Sequence, residues 1–166
     1  MNAMTHNYKP ALVISSPEIS AGLESFFNGE DLLEKTRAIA LSTVDADGWS
    51  RVSLLSAGEI IFRHDEGFRF CVFEQSGTAA NLARDGRMTL SMAHDGGIWE
   101  LRLRATACHR EVAEASLAFF KAEIDSARLH SVPYAEVTSG VTFSLHEPSA
   151  VLQRWQKQIK ALGALS

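Results

Sequence analysis

Arg51 and the segment Ser76-Gly77-Thr78 are the residues whose types and spacing point most directly to chemistry. Arginine binds phosphate oxygens through charge-assisted hydrogen bonds. A hydroxyl-rich turn that opens a helix presents backbone N–H groups, and the positive end of the helix dipole, to the same kind of anion. If the intervening strands pair as neighbours, the arginine and the turn approach each other and form a phosphate cradle.

The elements around these residues are predicted from apolar periodicity and turn residues. Strands are expected at 37–44, 49–56, 59–63, 68–74, 87–94, 98–108 and 141–147. Helices are expected at 20–36, with Asn28-Gly29 as a candidate break, and at 76–85, 111–125 and 148–162, with a loop at 126–139. Many short strands with hairpin turns favour a mainly β fold: an antiparallel, closed or nearly closed barrel with flanking helices.

Length and composition predict one domain at 19–166, preceded by a loosely attached N-terminal arm at 1–18. The formal charge of −4 argues against a general nucleic-acid binder. The N-terminus lacks the pattern of a signal peptide, and no apolar run is long enough to span a membrane. Cys71 and Cys108 fit no metal motif. A cytoplasmic protein with reduced thiols is therefore expected.

The histidines show no spacing typical of a preformed zinc site, so no metal is predicted. A single histidine is sufficient to ligate haem, and His94, His109 and His130 are the candidates for that role. No nucleophile motif, phosphate-binding loop or dinucleotide fingerprint is present. The sequence therefore assigns no catalytic residue.

Three segments carry a resemblance to a known family. They are the strand Arg51-Val52-Ser53-Leu54-Leu55-Ser56, the strand and turn from Phe70 to Leu82, and the strand from Trp99 to Ala107. The first is similar to the family motif R-x-V-L-L-K, and the second to a strand followed by S-R-K or S-x-K. The third is similar to the family motif R-Q-V-R-V-E-G-T-A. Over residues 36–110 the chain thus resembles the pyridoxamine 5′-phosphate oxidase-like, FMN-binding split barrels.

The resemblance implies a split-barrel homodimer that holds FMN at its interface. Arg51 and the Ser76, Gly77 and Thr78 turn would bind the FMN phosphate, with Ser56 at the end of the first motif. Val52, Ser53 and Leu54, with Cys71 and Val72, would line the isoalloxazine ring. Trp99, Glu100 and Arg102 would come from the partner subunit. The implied activity is that of a flavin-dependent oxidoreductase acting on a small molecule.

The chain departs from the family pattern at the phosphate. Ser56 replaces a lysine, Gly77-Thr78 replaces Arg-Lys, and Glu100 replaces a glutamine. Two alternatives therefore stay open. One is a non-catalytic flavin- or haem-binding sensor or storage protein on the same barrel. The other is a barrel that has lost its cofactor and acts as an interaction dimer, with Ser53, Ser56, Ser76 and Thr78 as ordinary strand and cap residues.

Overall fold

A computed structural model describes residues 8, 10–14, 19–109 and 116–165. In this part of the chain one antiparallel sheet contains eight strands. The strands are β1 Leu12–Ile14, β2 Ile39–Val44, β3 Ser50–Leu55, β4 Ile60–Arg63, β5 Gly67–Phe73, β6 Arg87–His94, β7 Gly97–Cys108 and β8 Leu117–His130. The helices are α1 Ala21–Phe26, α2 Gly77–Arg84 and α3 Pro148–Gly163.

The sheet has the order β3-β2-β6-β7-β8-β5-β4, and β1 pairs separately with β8. It curls around its own apolar face, and the helices flank it. The two edge strands, β3 and β4, follow each other in the chain without pairing, so the barrel is split. The predicted fold class, a mainly β antiparallel split barrel with flanking helices, is confirmed.

Alternation of side chains explains how the sheet makes its core. In β2, Ile39, Leu41 and Thr43 are buried, whereas Ser42 is half-buried and Val44 is exposed. The inner residues of β6 and β7 continue this surface. They are Met88, Leu90, Met92, Trp99, Leu101 and Leu103. Since one face of these strands is apolar, the sheet closes over that face.

The helices match their predictions in different degrees. Ser20 caps α1 by accepting a hydrogen bond from the Leu23 N–H at 3.2 Å. The helix ends at Phe26 rather than at residue 36, because Gly29 adopts a positive φ of 81° and redirects the chain. The predicted short helix and the C-terminal helix are present as α2 and α3.

The prediction of a helix at 111–125 is wrong for the part that the structure describes. Residues 117–125 belong to β8, and 110–115 lie outside the described residues. A bulge explains the error: Arg102 pairs with Ser126 but Leu103 pairs with Ile124, so Asp125 is left over. This extra residue shifts the strand by one position and hides its two-residue alternation.

Two neighbouring predictions are also corrected. The loop expected from residue 126 begins only after β8 ends at His130. The strand expected at 141–147 is reduced to one isolated bridge between Thr142 and Arg37. Pro148 begins α3 directly after this segment, and the bridge alone leaves too few ladder hydrogen bonds for a strand.

Part of the segment assigned to the N-terminal arm joins the sheet. Leu12 pairs with Leu129, and Ile14 pairs with Ala127. Residues 1–7, 9 and 15–18 lie outside the described part of the chain. Among the helices that the structure describes, none has the length and apolar character needed to cross a membrane.

Candidate functional site: a phosphate cradle at the start of α2

Arg51 and the Ser76–Thr78 turn meet in the structure. A β-carbon added at Gly77 would lie 2.8 Å from Arg51 Nε and 2.9 Å from its Cζ, so the guanidinium rests on the glycine backbone. The expected approach of these two ends is confirmed. The two ends are not brought together by pairing of the intervening strands, as the sequence suggested. They meet because β3 pairs with β2, and α2 packs against β2, β5 and β7.

Hydroxyl groups surround the first turn of α2. Ser76 caps the helix, with its Oγ accepting a hydrogen bond from the Ala79 N–H at 3.1 Å. The hydroxyls of Ser53 and Thr78 lie 2.5 Å apart, and Thr78 is buried. β3 is therefore joined to α2 by a hydrogen bond as well as by Arg51. The arrangement places one cation, one capped helix terminus and three hydroxyls within a small region, which suits an anion.

Arg51 already has a carboxylate partner that the sequence reasoning missed. Its Nε donates to Asp45 Oδ1 at 2.9 Å. This hydrogen bond is the main reason why the pKa of Asp45 is lowered and that of Arg51 is raised. The available signal was the hairpin: Asp45 directly follows β2, and Thr43 pairs with Arg51 across it.

Asn81 is a second missed residue. Its buried amide donates to Thr43 Oγ1 at 3.0 Å and to Asp45 Oδ1 at 2.8 Å. Its carbonyl oxygen accepts a hydrogen bond from Arg84 Nη1 at 3.1 Å. The only sequence signal was a polar residue on the apolar side of a short helix, which does not identify its partners.

Ser56 lies outside the cradle. Its backbone N–H and its hydroxyl both donate to Glu59 Oε2, at 2.7 and 2.8 Å. The residue is buried in the turn between β3 and β4. At this position, where the family pattern has a lysine, the side chain therefore stabilises a turn.

The residues expected to line a flavin ring fall on different surfaces. Val52 and Leu54 point outward from β3 and are 62% and 57% exposed. Cys71 and Val72 are adjacent in β5 and buried on opposite faces. Cys71 packs in a small cluster with α3, and Val72 packs in the main core. Val52 and Leu54 thus offer an open apolar surface, whereas Cys71 and Val72 are already covered.

The three residues expected from a partner subunit also separate. Trp99 is buried in the core, and its indole N–H donates to Asp95 Oδ2 at 3.3 Å. Glu100 and Arg102 lie on the outer face of β7, where Arg102 Nε donates to Glu100 Oε1 at 3.2 Å. His130 Nε2 lies 3.1 Å from the other oxygen of Glu100. Only Glu100 and Arg102 of the three therefore present side chains to the outside.

The histidine candidates occupy three different surroundings. His94 Nδ1 is 3.0 Å from Arg37 Nη1, and its Nε2 is 3.2 Å from Asp95 Oδ1. Burial lowers the pKa of His94. His130 is paired with Glu100, and His109 is exposed. Within the described residues no three His, Cys, Asp or Glu side chains are grouped to hold a metal ion.

Comparison with known proteins gives the class to which this split barrel belongs. The family model of pyridoxamine 5′-phosphate oxidase matches residues 29–140, and the chain belongs to this family. The chain is also 33% identical to the uncharacterized protein YclD of Bacillus subtilis (strain 168) over 146 residues. That alignment covers 87% of this chain and 95% of YclD.

Solved structures share the fold at low sequence identity. A candidate pyridoxamine 5′-phosphate oxidase from Lactobacillus delbrueckii aligns with a TM-score of 0.54 at 13% identity, over 69% of this chain and 97% of that one. The HupZ protein of Group A Streptococcus aligns with a TM-score of 0.52 at 12% identity, over 72% and 99%. At these identities the similarity shows a common fold.

Proposed function

We propose that the protein binds FMN at the interface of a homodimer and acts as a flavin-dependent oxidoreductase on a small molecule. The observation that carries this proposal is the contact between the Arg51 guanidinium and the first turn of α2. Nε is bonded to Asp45, and within the described residues neither terminal nitrogen of Arg51 has a hydrogen-bond partner. The two terminal NH2 groups and a capped helix terminus thus converge where a phosphate would bind.

The outer face of β2 and β3 supports the dimer. Val44, Val52 and Leu54 are exposed there, and Trp49 is exposed in the connecting turn. An apolar strip of this kind suits a second copy of the chain, with the flat flavin ring enclosed between the two. Glu100 and Arg102 of the second copy would supply polar groups to the ring. FMN would supply hydride or electron chemistry, and this chain would bind and orient it.

The direct test is the absorption spectrum and flavin affinity of the purified protein. Flavin bands near ~375 and ~450 nm are expected, whereas a Soret band near ~400 nm would indicate haem. A colourless protein that does not bind added FMN would overturn the proposal. Bleaching of the bound flavin by NADH or NADPH would support an oxidoreductase, and a bound flavin that no electron donor reduces would support a sensor or storage protein.

Arg51→Ala tests the phosphate site itself. We expect the variant to bind FMN about ten- to a hundredfold more weakly, the effect of losing charge-assisted hydrogen bonds. The affinity for riboflavin, which lacks the phosphate, should stay the same. Arg154→Ala, which removes an exposed arginine from α3, is the matched control. An unchanged FMN dissociation constant in Arg51→Ala would mean that the phosphate binds elsewhere.

A further inference from the structure

A buried amide connects the core of the barrel to the phosphate cradle. Asn81 is 5% exposed, and both N–H groups of its amide have acceptors, Thr43 Oγ1 and Asp45 Oδ1. Its oxygen accepts from Arg84. A buried polar group with all its partners in place favours a single arrangement, because any other leaves a donor unpaired. Asn81 therefore fixes the position of the Asp45 carboxylate.

Asp45 passes this constraint to Arg51. Its backbone N–H donates to Trp49 O at 2.7 Å, which holds the residue at the mouth of the β2–β3 hairpin. The same Oδ1 that accepts from Asn81 accepts from Arg51 Nε at 2.9 Å. The Asp45 carboxylate thus lies between the buried amide of Asn81 and the surface guanidinium of Arg51. Because Asn81 fixes the carboxylate, the carboxylate in turn fixes the guanidinium.

Arg51 needs such a constraint, because its side chain is 47% exposed and long. An unconstrained arginine loses rotamer entropy when a ligand fixes it, and this loss weakens binding. Here Asp45 holds Nε, and the guanidinium lies against Gly77. The terminal nitrogens are left for a ligand, so the cost of ordering the side chain is met before binding.

We propose that Asn81 is a positioning residue which, through Asp45, holds the Arg51 guanidinium at the start of α2 in the orientation that receives the FMN phosphate. The inference rests on the proposed function and extends it. By this inference, the protein would prefer a phosphorylated flavin partly because of Asn81, a residue that does not touch the ligand.

The test compares FMN with riboflavin as probes of the full-length protein. Asn81→Ala should weaken FMN binding about three- to tenfold, the scale of one side chain that must be ordered on binding. Riboflavin binding should not change, since only the phosphate contacts Arg51. A general loosening of the fold would weaken both ligands equally and would overturn the proposal.

Two further variants control for stability. Gln158→Ala removes another buried amide, on α3 and away from the cradle. It should leave the ratio of the affinity for FMN to the affinity for riboflavin unchanged. Thr43→Val keeps the side-chain shape and removes one of the two acceptors of Asn81. Thr43→Val should lower this ratio of affinities by a smaller factor than Asn81→Ala does. It provides the test of the proposal if Asn81→Ala does not fold. An unchanged ratio in Thr43→Val and Asn81→Ala would refute the role.

A double-mutant comparison shows whether Asn81 acts through Arg51. In an Arg51→Ala background, Asn81→Ala should cause no further loss of FMN affinity. A loss as large as in the wild-type background would mean that Asn81 acts by another route, and the proposal would be wrong.

The pKa of Asp45, measured in the ligand-free protein, tests the role of Asn81 independently of FMN binding. Hydrogen bonds from Arg51 and Asn81 lower the pKa of Asp45, and Arg84 is a further nearby cation. Carboxyl NMR titration should therefore show a higher Asp45 pKa in Asn81→Ala than in the wild type. An unchanged pKa would refute the positioning role. A raised pKa in a protein that binds no FMN would support the contact through which Asn81 holds Asp45 and would overturn the proposed function.

Discussion

The guanidinium of Arg51 lies against a residue that has no side chain. The Gly77 backbone is so close that a β-carbon there would be 2.8 Å from Arg51 Nε. Gly77 does not have the positive φ that favours glycine, so its backbone tolerates alanine. The glycine at this position is thus explained by the space that the arginine occupies.

Gly77→Ala should therefore separate binding from stability. The flexible end of Arg51 moves aside, so FMN affinity should fall. The free energy of unfolding should stay the same or rise by up to about 1 kcal/mol, because alanine favours helix more than glycine. Gly163→Ala, where nothing lies within 4 Å of the added carbon, is the control. Flavin titration and urea unfolding test both effects, and unchanged FMN binding would show that the contact is unimportant.

His94 makes stability depend on pH. Arg37 can only donate, so His94 Nδ1 accepts and the ring is neutral in the folded protein, with Nε2–H directed at Asp95. Burial lowers its pKa below the unfolded value of about 6.5. A lowered pKa means that the unfolded chain binds the proton more tightly, so acid favours unfolding.

The free energy of unfolding should accordingly be constant above pH ~6.5 and should fall as the pH drops from there towards the folded pKa. Urea unfolding measured at intervals between pH 7.5 and 5.5 tests this. His94→Gln should reduce the pH dependence in this window, whereas replacement of the exposed His64 should not. A wild-type stability that rises on acidification would contradict the assigned protonation state.

At the scale of elements, α3 is attached to the barrel by a buried arginine. Arg69 of β5 donates from Nη1 to the carbonyl oxygens of Leu162 and Gly163, at 3.3 and 3.2 Å. Its Nη2 forms an ion pair with Glu66 at 2.8 Å. The cation thereby satisfies the last carbonyls of the helix and complements the negative end of its dipole.

Arg69→Met should destabilise the protein by about 2 kcal/mol, because it keeps the apolar stem and loses the charge-assisted hydrogen bonds to the helix end. Chemical denaturation monitored by tryptophan fluorescence measures the change, since Trp99 and Trp155 are buried and become exposed on unfolding. Arg154→Met alters an exposed arginine of the same helix and should have no measurable effect. Equal stabilities of the two variants would mean that the cap contributes nothing.

Local signals predicted the elements that local chemistry controls. Ser76 capping α2 and the alternation in β2 were readable because each depends on a few consecutive residues. β8 was not readable, since Phe119 packs towards α3 while Phe120 packs in the barrel, and Asp125 then interrupts the alternation. The interior of a sheet covered on both sides lacks the two-residue pattern that identifies a strand.

The candidate site was predictable to the same limited extent. Arg51 and the Ser76–Thr78 turn are recognisable from residue type and spacing. Asp45 and Asn81 are not, because their roles arise only when the β2–β3 hairpin and α2 pack together. Trp99 has the character of a ligand-binding residue in the sequence, but the phase of β7 places it in the core.

At the scale of the whole molecule, the outer face of β3 should control assembly. Leu54 is exposed next to Val52 on this face, so Leu54→Lys would place a charge in the proposed dimer interface. We expect the wild type to be a dimer and the variant a monomer with weaker FMN binding. Sedimentation equilibrium with and without FMN measures both states. Leu33→Lys, at an exposed leucine outside the strip, is the control, and a dimeric Leu54→Lys variant would place the interface elsewhere.

The position of β8 in the sheet also determines when the strands can pair during folding. Before this strand is made, the pairing partners available to the chain define two separate pieces, β3-β2-β6-β7 and β4-β5. β8 joins them, with Leu103 pairing to Ile124 on one side and Phe70 to Phe120 on the other. Contacts between residues so distant in sequence form slowly, and the open edges of β5 and β7 can pair wrongly meanwhile. We therefore expect a nascent chain to join the two pieces of its sheet, and to cover the open edges of β5 and β7, only after residues 117–130 have been synthesised.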